Sequence, residues 1–222
     1  MVLPAETTGR SVIFDWDGTL VDNSLRQYRC FCDVLEQRGL QPTLSFVEFW
    51  EQRRGGRRIR DCFPSTLPPA AIRESEAAWI SNVESPRLLS LDRLYPGAQE
   101  CLRLICQTCS VFLCSLRQDP AALRVQLRHL NVADFFIDVF VGSPLGRRSK
   151  SDLIQPVLRS ASVRPAIVGD SEIEVLTGRE AGIHTVAVTY GNRSREFLTP
   201  FQPDIIVDRI EEVPAALGLE TI

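Results

Sequence analysis

The feature of this sequence that most limits its fold is an alternation of short apolar runs with amphipathic stretches. Six runs predict strands, at residues 11–15, 110–115, 136–142, 165–170, 183–189 and 204–207. Most of them are apolar on both faces, which is typical of a parallel sheet that helices cover on both sides. The stretches that separate the later runs have helical spacing. The alternation therefore predicts an α/β fold with a Rossmann-like, doubly wound parallel sheet.

The alternation is interrupted between about Asn23 and Tyr95, where the sequence contains helical segments and no convincing strand. At 222 residues the chain is long enough for one sizeable domain that carries a smaller insertion. We therefore predict an α/β core domain formed by residues 1–22 and 96–222. Residues 23–95 are predicted to form an inserted α-helical cap domain.

Composition narrows the range of partners. The formal net charge is −3, which argues against a protein that binds nucleic acid. No apolar run approaches the length of a membrane span, and the first ten residues lack the pattern of a signal peptide. We therefore expect a cytoplasmic protein that acts on neither membranes nor nucleic acid, with its seven cysteines as free thiols.

Polar residues follow several of the predicted strands. In an open parallel sheet, ligands bind beyond the carboxyl ends of the strands, so these residues are expected to meet at one edge. The candidates are Asp15, Asp17, Ser115, Lys150, Asp170 and Glu174. Lys150 is the only lysine in a chain that has 24 arginines, and its presence among these candidates argues against a coincidence.

Four segments resemble, in order, the signature motifs of haloacid dehalogenase-type phosphohydrolases. They are "VIFDWDGTLVDN", the serine of "VFLCS", the lysine of "RRSKSDLIQPVL", and "AIVGDSEIEVLTGREAGI". The sequence is similar to the branch with a helical cap that contains phosphoglycolate phosphatases and β-phosphoglucomutases. This resemblance implies a Mg²⁺-dependent phosphatase that hydrolyses a small phosphorylated metabolite through an aspartyl-phosphate.

The resemblance also implies roles for individual side chains. Asp15 is expected to be the nucleophile, and Asp17 the acid that protonates the leaving oxygen and then deprotonates water. Ser115 is expected to hydrogen-bond a phosphoryl oxygen. Lys150 is expected to place a compact positive charge beside the nucleophile and the phosphoryl group. Backbone N–H groups of Trp16, Asp17 and Leu116 would complete the phosphate-binding cradle.

A magnesium site is implied by the same motifs. Its expected ligands are Asp15, the backbone carbonyl of Asp17, and Asp170, because Mg²⁺ prefers oxygen. The family commonly has aspartate where this chain has Glu174. We expect Glu174 to act on the metal through water or by orienting its ligands.

Several side chains have two interpretations. Arg117 either contacts substrate or is a solvated arginine, and Trp16 either lines the site or packs in the core. Four arginines surround a Gly-Gly pair at residues 55–56 and either grip an anionic substrate or form a solvated face; among these, Arg54 and Arg57 are the candidates for substrate binding.

Other functions remain open. A sugar phosphomutase would share the pair Asp15 and Asp17, and a catalytically weak regulatory or binding protein would keep the fold without the reaction. Asp17 argues against a dehalogenase, which does not need a second acid. The absence of lysine from residues 23–95 argues against a phosphonate hydrolase that uses a lysine of the cap.

Overall fold

The computed structural model describes residues 9–144 and 146–219. Within them, a six-stranded sheet is parallel throughout, with strand order β5-β4-β1-β6-β7-β8. Its strands are β1 (Ser11–Phe14), β4 (Ser110–Leu116), β5 (Asp138–Gly142), β6 (Ala166–Gly169), β7 (His184–Val188) and β8 (Ile205–Val207). The predicted fold class and all six predicted strands are confirmed.

Two further strands form a separate antiparallel pair, β2 (Val21–Asp22) with β3 (Arg93–Leu94). The expectation that no strand lies between Asn23 and Tyr95 is therefore wrong at β3. A strand of two residues is too short to show a period of two in the sequence, so nothing in the pattern could have predicted it.

Five helices lie between β2 and β3. They are α1 (Ser24–Glu36), α2 (Phe46–Arg54), α3 (Ile59–Cys62), α4 (Pro69–Asn82) and α5 (Pro86–Leu89). Buried side chains pack the first three together: the rings of Phe31 and Phe49 stack at 5.0 Å, and Phe63, which follows α3 directly, lies 5.4 Å from Phe31. We call residues 24–89 the helical segment; its status as a separate cap domain stays a prediction.

In the part of the chain that the structure describes, seven more helices follow β3. They are α6 (Ala98–Ile105), α7 (Pro120–His129), α8 (Lys150–Leu153), α9 (Gln155–Ser160), α10 (Glu172–Ala181), α11 (Arg195–Leu198) and α12 (Val213–Ala216). Single 3₁₀ turns occupy Ala133–Phe135, Thr199–Phe201 and Ile210–Glu212.

The two faces of the sheet bury different helices. Val12 and Phe14 of β1 share a cluster with residues of α6, α7 and α12. Ile13, which points to the opposite face, packs with residues of α8 and α9. Burial on both faces explains the continuous apolar character of the strands, and it leaves the strand ends as the place where polar residues collect.

All seven cysteines lie in the described residues and are free, as expected. Among the residues that the structure describes, no helix is both long and apolar enough to cross a membrane.

Candidate active site

The carboxyl ends of β1, β4 and β6 open into a cavity of about 430 Å³. The predicted site residues that line it are Asp15, Asp17, Ser115, Leu116, Arg117, Lys150, Asp170 and Glu174. Residues up to 159 positions apart in the sequence are thus gathered at one edge of the sheet, as the strand-end argument predicts. The helical segment closes the opposite side with Trp79, Ile80 and Val83.

Lys150 makes direct contact with two buried carboxylates. Its Nζ donates to Asp15 Oδ1 and, at 2.5 Å, to Glu174 Oε1. Burial alone would lower the pKa of Lys150, but the charges of Asp15 and Glu174 outweigh it and raise that pKa above its usual value. The ammonium therefore stays charged next to the predicted nucleophile.

Asp15 and Asp170 lie on either side of one hydroxyl group. Thr19 Oγ1 is 3.4 Å from Asp15 Oδ2 and 3.3 Å from Asp170 Oδ1. Burial, opposed in part by Lys150, raises the pKa of Asp15 to about 7. Burial and the charges of Asp15 and Glu174 also raise the pKa of Asp170. A cation shared by the two carboxylates would stabilise their ionised forms.

Two glycines keep the space around Asp170 open. A Cβ atom on Gly18 would lie 2.0 Å from Asp170 Oδ2, and one on Gly191 would lie 2.1 Å from the carbonyl oxygen of Gly18. Gly18 also has a φ of 87°, which favours glycine. The loops after β1 and β7 therefore approach each other closely around the carboxylate.

The predicted ligand set fits a magnesium ion by its chemistry, since it consists of two carboxylates and one carbonyl oxygen. In the described residues, no three side chains of His, Cys, Asp or Glu form a group that could hold a metal. In the predicted set the third ligand, Asp17, would bind through its backbone oxygen. That oxygen and Asp170 Oδ2 are both hydrogen-bonded by Asn192 Nδ2, at 2.9 and 2.8 Å.

The side chain of Asp17 is held by two arginines. Arg117 donates to both of its oxygens, at 2.5 and 2.7 Å, and Arg26 of α1 donates to Oδ1. Burial would raise the pKa of Asp17, but the charges of Arg117 and Arg26 outweigh it and lower that pKa below its usual value. The interpretation of Arg117 as a solvated arginine is wrong, because its side chain is only 2% exposed.

Trp16 is fully buried and belongs to the main core cluster. Its Nε1 donates to Gln126 Oε1 at 2.9 Å, and Gln126 also accepts from Arg117 at 3.1 Å. The interpretation of the indole as a wall of the site is therefore wrong. Its predicted part in phosphate binding concerns only the backbone N–H and stays a prediction.

Glu174 uses both of its oxygens within the protein. Oε1 accepts from Lys150, while Oε2 accepts from the backbone and hydroxyl of Ser171, at 3.1 and 2.6 Å, in a capping box at the start of α10. These contacts fix Glu174 as a partner of Lys150, and its predicted indirect action on a metal stays a prediction. The Ser-x-x-Glu spacing at 171–174 was a signal in the sequence for this cap.

The arginines near the Gly-Gly pair have separate positions. Arg53 lines the cavity. Arg54 Nη2 instead donates to the carbonyl oxygen of Thr189, and the exposed Arg57 donates to Gln52 at 2.8 Å. Neither Arg54 nor Arg57 is among the residues that line the cavity, so the structure does not place these two candidates at the predicted substrate.

Sequence reasoning missed four residues that shape the site: Thr19, Arg26, Gln27 and Asn192. Thr19 follows the Asp-x-Asp-Gly segment directly, so its proximity was a usable signal. Arg26 and Gln27 lie on α1, and the loop containing Asn192 follows β7; no short motif connects them, since they meet only when the helical segment docks on the core.

The model of the haloacid dehalogenase-like hydrolase family matches residues 12–188. A phosphoglycolate phosphatase from Rhodobacter capsulatus is 29% identical over 82% of this chain and 85% of its own length. One from Pseudomonas fluorescens is 24% identical over 94% of this chain and 80% of its own.

Solved structures show the same fold. A haloacid dehalogenase-like hydrolase from Streptococcus pneumoniae is similar with a TM-score of 0.76 at 25% identity, covering 93% of this chain and 97% of its own. Together with the phosphatase relatives, it confirms the predicted class of enzyme, a phosphoric monoester hydrolase. The matched segment contains all four predicted motifs and most of the chain, and the chain belongs to the haloacid dehalogenase-like hydrolase family.

Proposed function

We propose that this protein is a Mg²⁺-dependent phosphatase that hydrolyses a small phosphorylated metabolite through a phosphoryl group carried on Asp15. The observation that carries the proposal is the buried contact between Lys150 and Asp15 at the floor of the cavity. A carboxylate is a weak nucleophile, so it needs a phosphoryl group whose charge is neutralised and whose position is fixed. Lys150 and Ser115 supply part of both.

The proposed reaction has two displacements at phosphorus. In the first, an oxygen of Asp15 forms a bond to phosphorus while the bond to the leaving oxygen breaks, and that oxygen takes a proton from the carboxyl group of Asp17. In the second, water attacks phosphorus, its proton goes to Asp17, and the bond to Asp15 breaks to release inorganic phosphate. A magnesium ion held by Asp15, Asp170 and the carbonyl of Asp17 would stabilise negative charge on the phosphoryl oxygens.

The ion pairs that Asp17 makes with two arginines fit its role in the second step better than its role in the first. Because Arg26 and Arg117 favour its ionised form, Asp17 as placed here is suited to accept a proton from water. Protonating the leaving oxygen requires that the carboxyl group move off at least one arginine. Arg26 belongs to the helical segment, so movement of that segment would release it.

The position and charge of Arg53 support the proposal that the substrate carries a second anionic group. Arg53 lines the cavity, and its side-chain hydrogen bonds within the described residues go to neutral oxygens, the carbonyl of Arg57 at 2.6 Å and Gln27 Oε1 at 3.4 Å. Burial and the nearby charge of Arg193 lower the pKa of Arg53 to about 10. A carboxylate or second phosphate on the substrate would stabilise this cation, and the relatives suggest phosphoglycolate as the first compound to test.

The function is tested by hydrolysis of an aryl phosphate with and without Mg²⁺, by the wild type and by Asp15→Asn. We expect phosphate release that depends on Mg²⁺ and is lost in the variant, because the amide cannot act as the nucleophile. Activity that survives Asp15→Asn would contradict the assignment. A rearranged sugar phosphate in place of inorganic phosphate would indicate a mutase, and inactivity across a broad panel of esters a binding protein.

A further inference from the structure

Asn192 lies between the predicted magnesium ligands and the helical segment. On one side, its Nδ2 donates to the carbonyl oxygen of Asp17 and to Asp170 Oδ2. Its backbone N–H donates to the same Asp170 oxygen at 2.5 Å. Two of the three predicted ligands are thus hydrogen-bonded by one residue that the family motifs quoted above do not include.

On the other side, Asn192 contacts α1. Its Oδ1 accepts from Gln27 Nε2 at 2.5 Å, and Gln27 Oε1 lies 3.4 Å from Arg53 Nε on α2. Gln27 is 6% exposed, and its backbone carbonyl accepts from Trp79 Nε1 of α4 at 3.1 Å. Three helices of the helical segment are therefore connected to the ligands through Gln27 and Asn192.

The chemistry of a primary amide makes this connection directional. Both predicted ligand atoms are acceptors, so the Asn192 side chain can satisfy them only by turning its NH₂ group toward them. Its Oδ1 then faces Gln27, which donates to it. Docking of α1 thus favours the one amide orientation that holds the Asp17 carbonyl and the Asp170 carboxylate in place.

We propose that Asn192 is a positioning residue that couples cation binding at Asp15, Asp17 and Asp170 to docking of the helical segment. The inference rests on the proposed magnesium site and adds a link that the reaction itself does not require. Hydrogen bonds that orient metal ligands typically change metal affinity by about 10–100-fold when they are removed. By thermodynamic reciprocity, a cation that binds better to the docked state also stabilises docking.

The test measures Mg²⁺ affinity by calorimetry and docking by hydrogen exchange of the α2 amides, with and without Mg²⁺. Three variants are compared with the wild type: Asn192→Ala, Gln27→Met and Arg54→Met. Arg54 is the matched control, since it joins α2 to the same loop through the carbonyl of Thr189 but contacts neither Asp17 nor Asp170. Neither readout requires turnover, so the result is independent of whether the substrate class is right.

We expect Asn192→Ala to raise the dissociation constant for Mg²⁺ at least tenfold, on the order of the loss seen for other orienting residues. Gln27→Met keeps every ligand contact of Asn192, so we expect a smaller loss of affinity. In both variants the protection of α2 by Mg²⁺ is expected to disappear. Arg54→Met is expected to speed exchange of α2 equally with and without Mg²⁺, with the affinity unchanged.

Wild-type affinity in Asn192→Ala would overturn the proposal, as would Mg²⁺-dependent protection of α2 that persists in Gln27→Met. If Asn192→Ala does not fold, Gln27→Met alone decides, because it leaves the loop after β7 intact. Failure of the proposed function gives a different result: the coupling would be present while phosphate esters are not hydrolysed.

Discussion

At the scale of single residues, the largest difference between what the sequence predicts and what the structure shows concerns Arg117. The sequence predicted six polar side chains at the strand ends, and the structure brings all six to one cavity. The sequence could not predict that Asp17 would be held by Arg117 and Arg26, because those ion pairs depend on rotamers and on how α1 docks. A motif fixes which residue types are present, whereas their ion pairs depend on neighbours that are distant in sequence.

The buried charges around Asp17 make Arg117 a test of stability. Arg117 also lies 3.7 Å from Asp92, whose pKa is raised to about 6 by burial. Arg117→Met leaves Asp17 and Asp92 with Arg26 as their remaining cation. We expect the free energy of unfolding to fall by about 3 kcal/mol, as when one partner of a buried pair is removed, measured by urea denaturation.

The matched control is Arg103→Met, which removes an arginine that pairs with Glu100 on the surface of α6. Exposed pairs contribute little, so this variant is expected to unfold at nearly the wild-type urea concentration. Equal stability of Arg117→Met and Arg103→Met would show that the arrangement around Asp17 does not hold in solution.

At the scale of elements, predictions from the sequence were most accurate where a hydrophobic pattern extends over several residues. The six strands of the parallel sheet were predicted because most of them bury apolar residues on both faces, which leaves an apolar run of several residues. The pair β2 and β3 was missed because each strand has only two residues. The close contact between the loops after β1 and β7 was also invisible, since nothing in the sequence pairs Gly18 with Gly191.

That contact predicts a large effect of Gly191→Ala. The new Cβ would lie 2.1 Å from the carbonyl oxygen of Gly18 and 2.4 Å from Asp170 Oδ2, so the loop, the carboxylate or both must move. We expect kcat/KM for an aryl phosphate to fall by about a hundredfold, because small displacements of reacting groups are costly.

Gly55→Ala serves as its control, since neither glycine has a left-handed φ and the nearest atom to a Cβ at Gly55 is 3.4 Å away. This variant is expected to keep wild-type kcat/KM. A Gly191→Ala enzyme as active as Gly55→Ala would mean that the two loops do not pack as described.

At the scale of the whole molecule, the cavity is built jointly by the sheet edge and the helical segment. Besides the arginine and glutamine contacts, Glu84 accepts from the backbone N–H of Gln118 at 2.9 Å, joining the segment to the loop after β4. The sequence predicted the insertion and left Arg54 and Arg57 either at the substrate or on a solvated face, whereas in the structure Arg53 lines the cavity. The docking angle of α2 decides which arginine faces the cavity, and no periodicity in the sequence encodes that angle.

Substrate choice tests this joint construction. Phosphoglycolate and ethyl phosphate differ mainly by one carboxylate, so only the first is expected to use Arg53. We expect Arg53→Gln to raise KM for phosphoglycolate about tenfold, which corresponds to one charge-assisted hydrogen bond. KM for ethyl phosphate is expected to stay near the wild-type value.

Arg57→Gln removes a nearby arginine that is exposed and outside the cavity, so neither KM is expected to change. Equal losses for both substrates in Arg53→Gln would show that Arg53 acts on the fold or on the phosphoryl group and does not recognise a second anion.

The most direct measurement is the mass of the Asp15 peptide after an acid quench during turnover with Mg²⁺. The two-step mechanism predicts that a fraction of this peptide carries one added phosphoryl group, and that the modification is absent in Asp15→Asn. A phosphoryl group found on another residue, or phosphate release by Asp15→Asn at the wild-type rate, would contradict it.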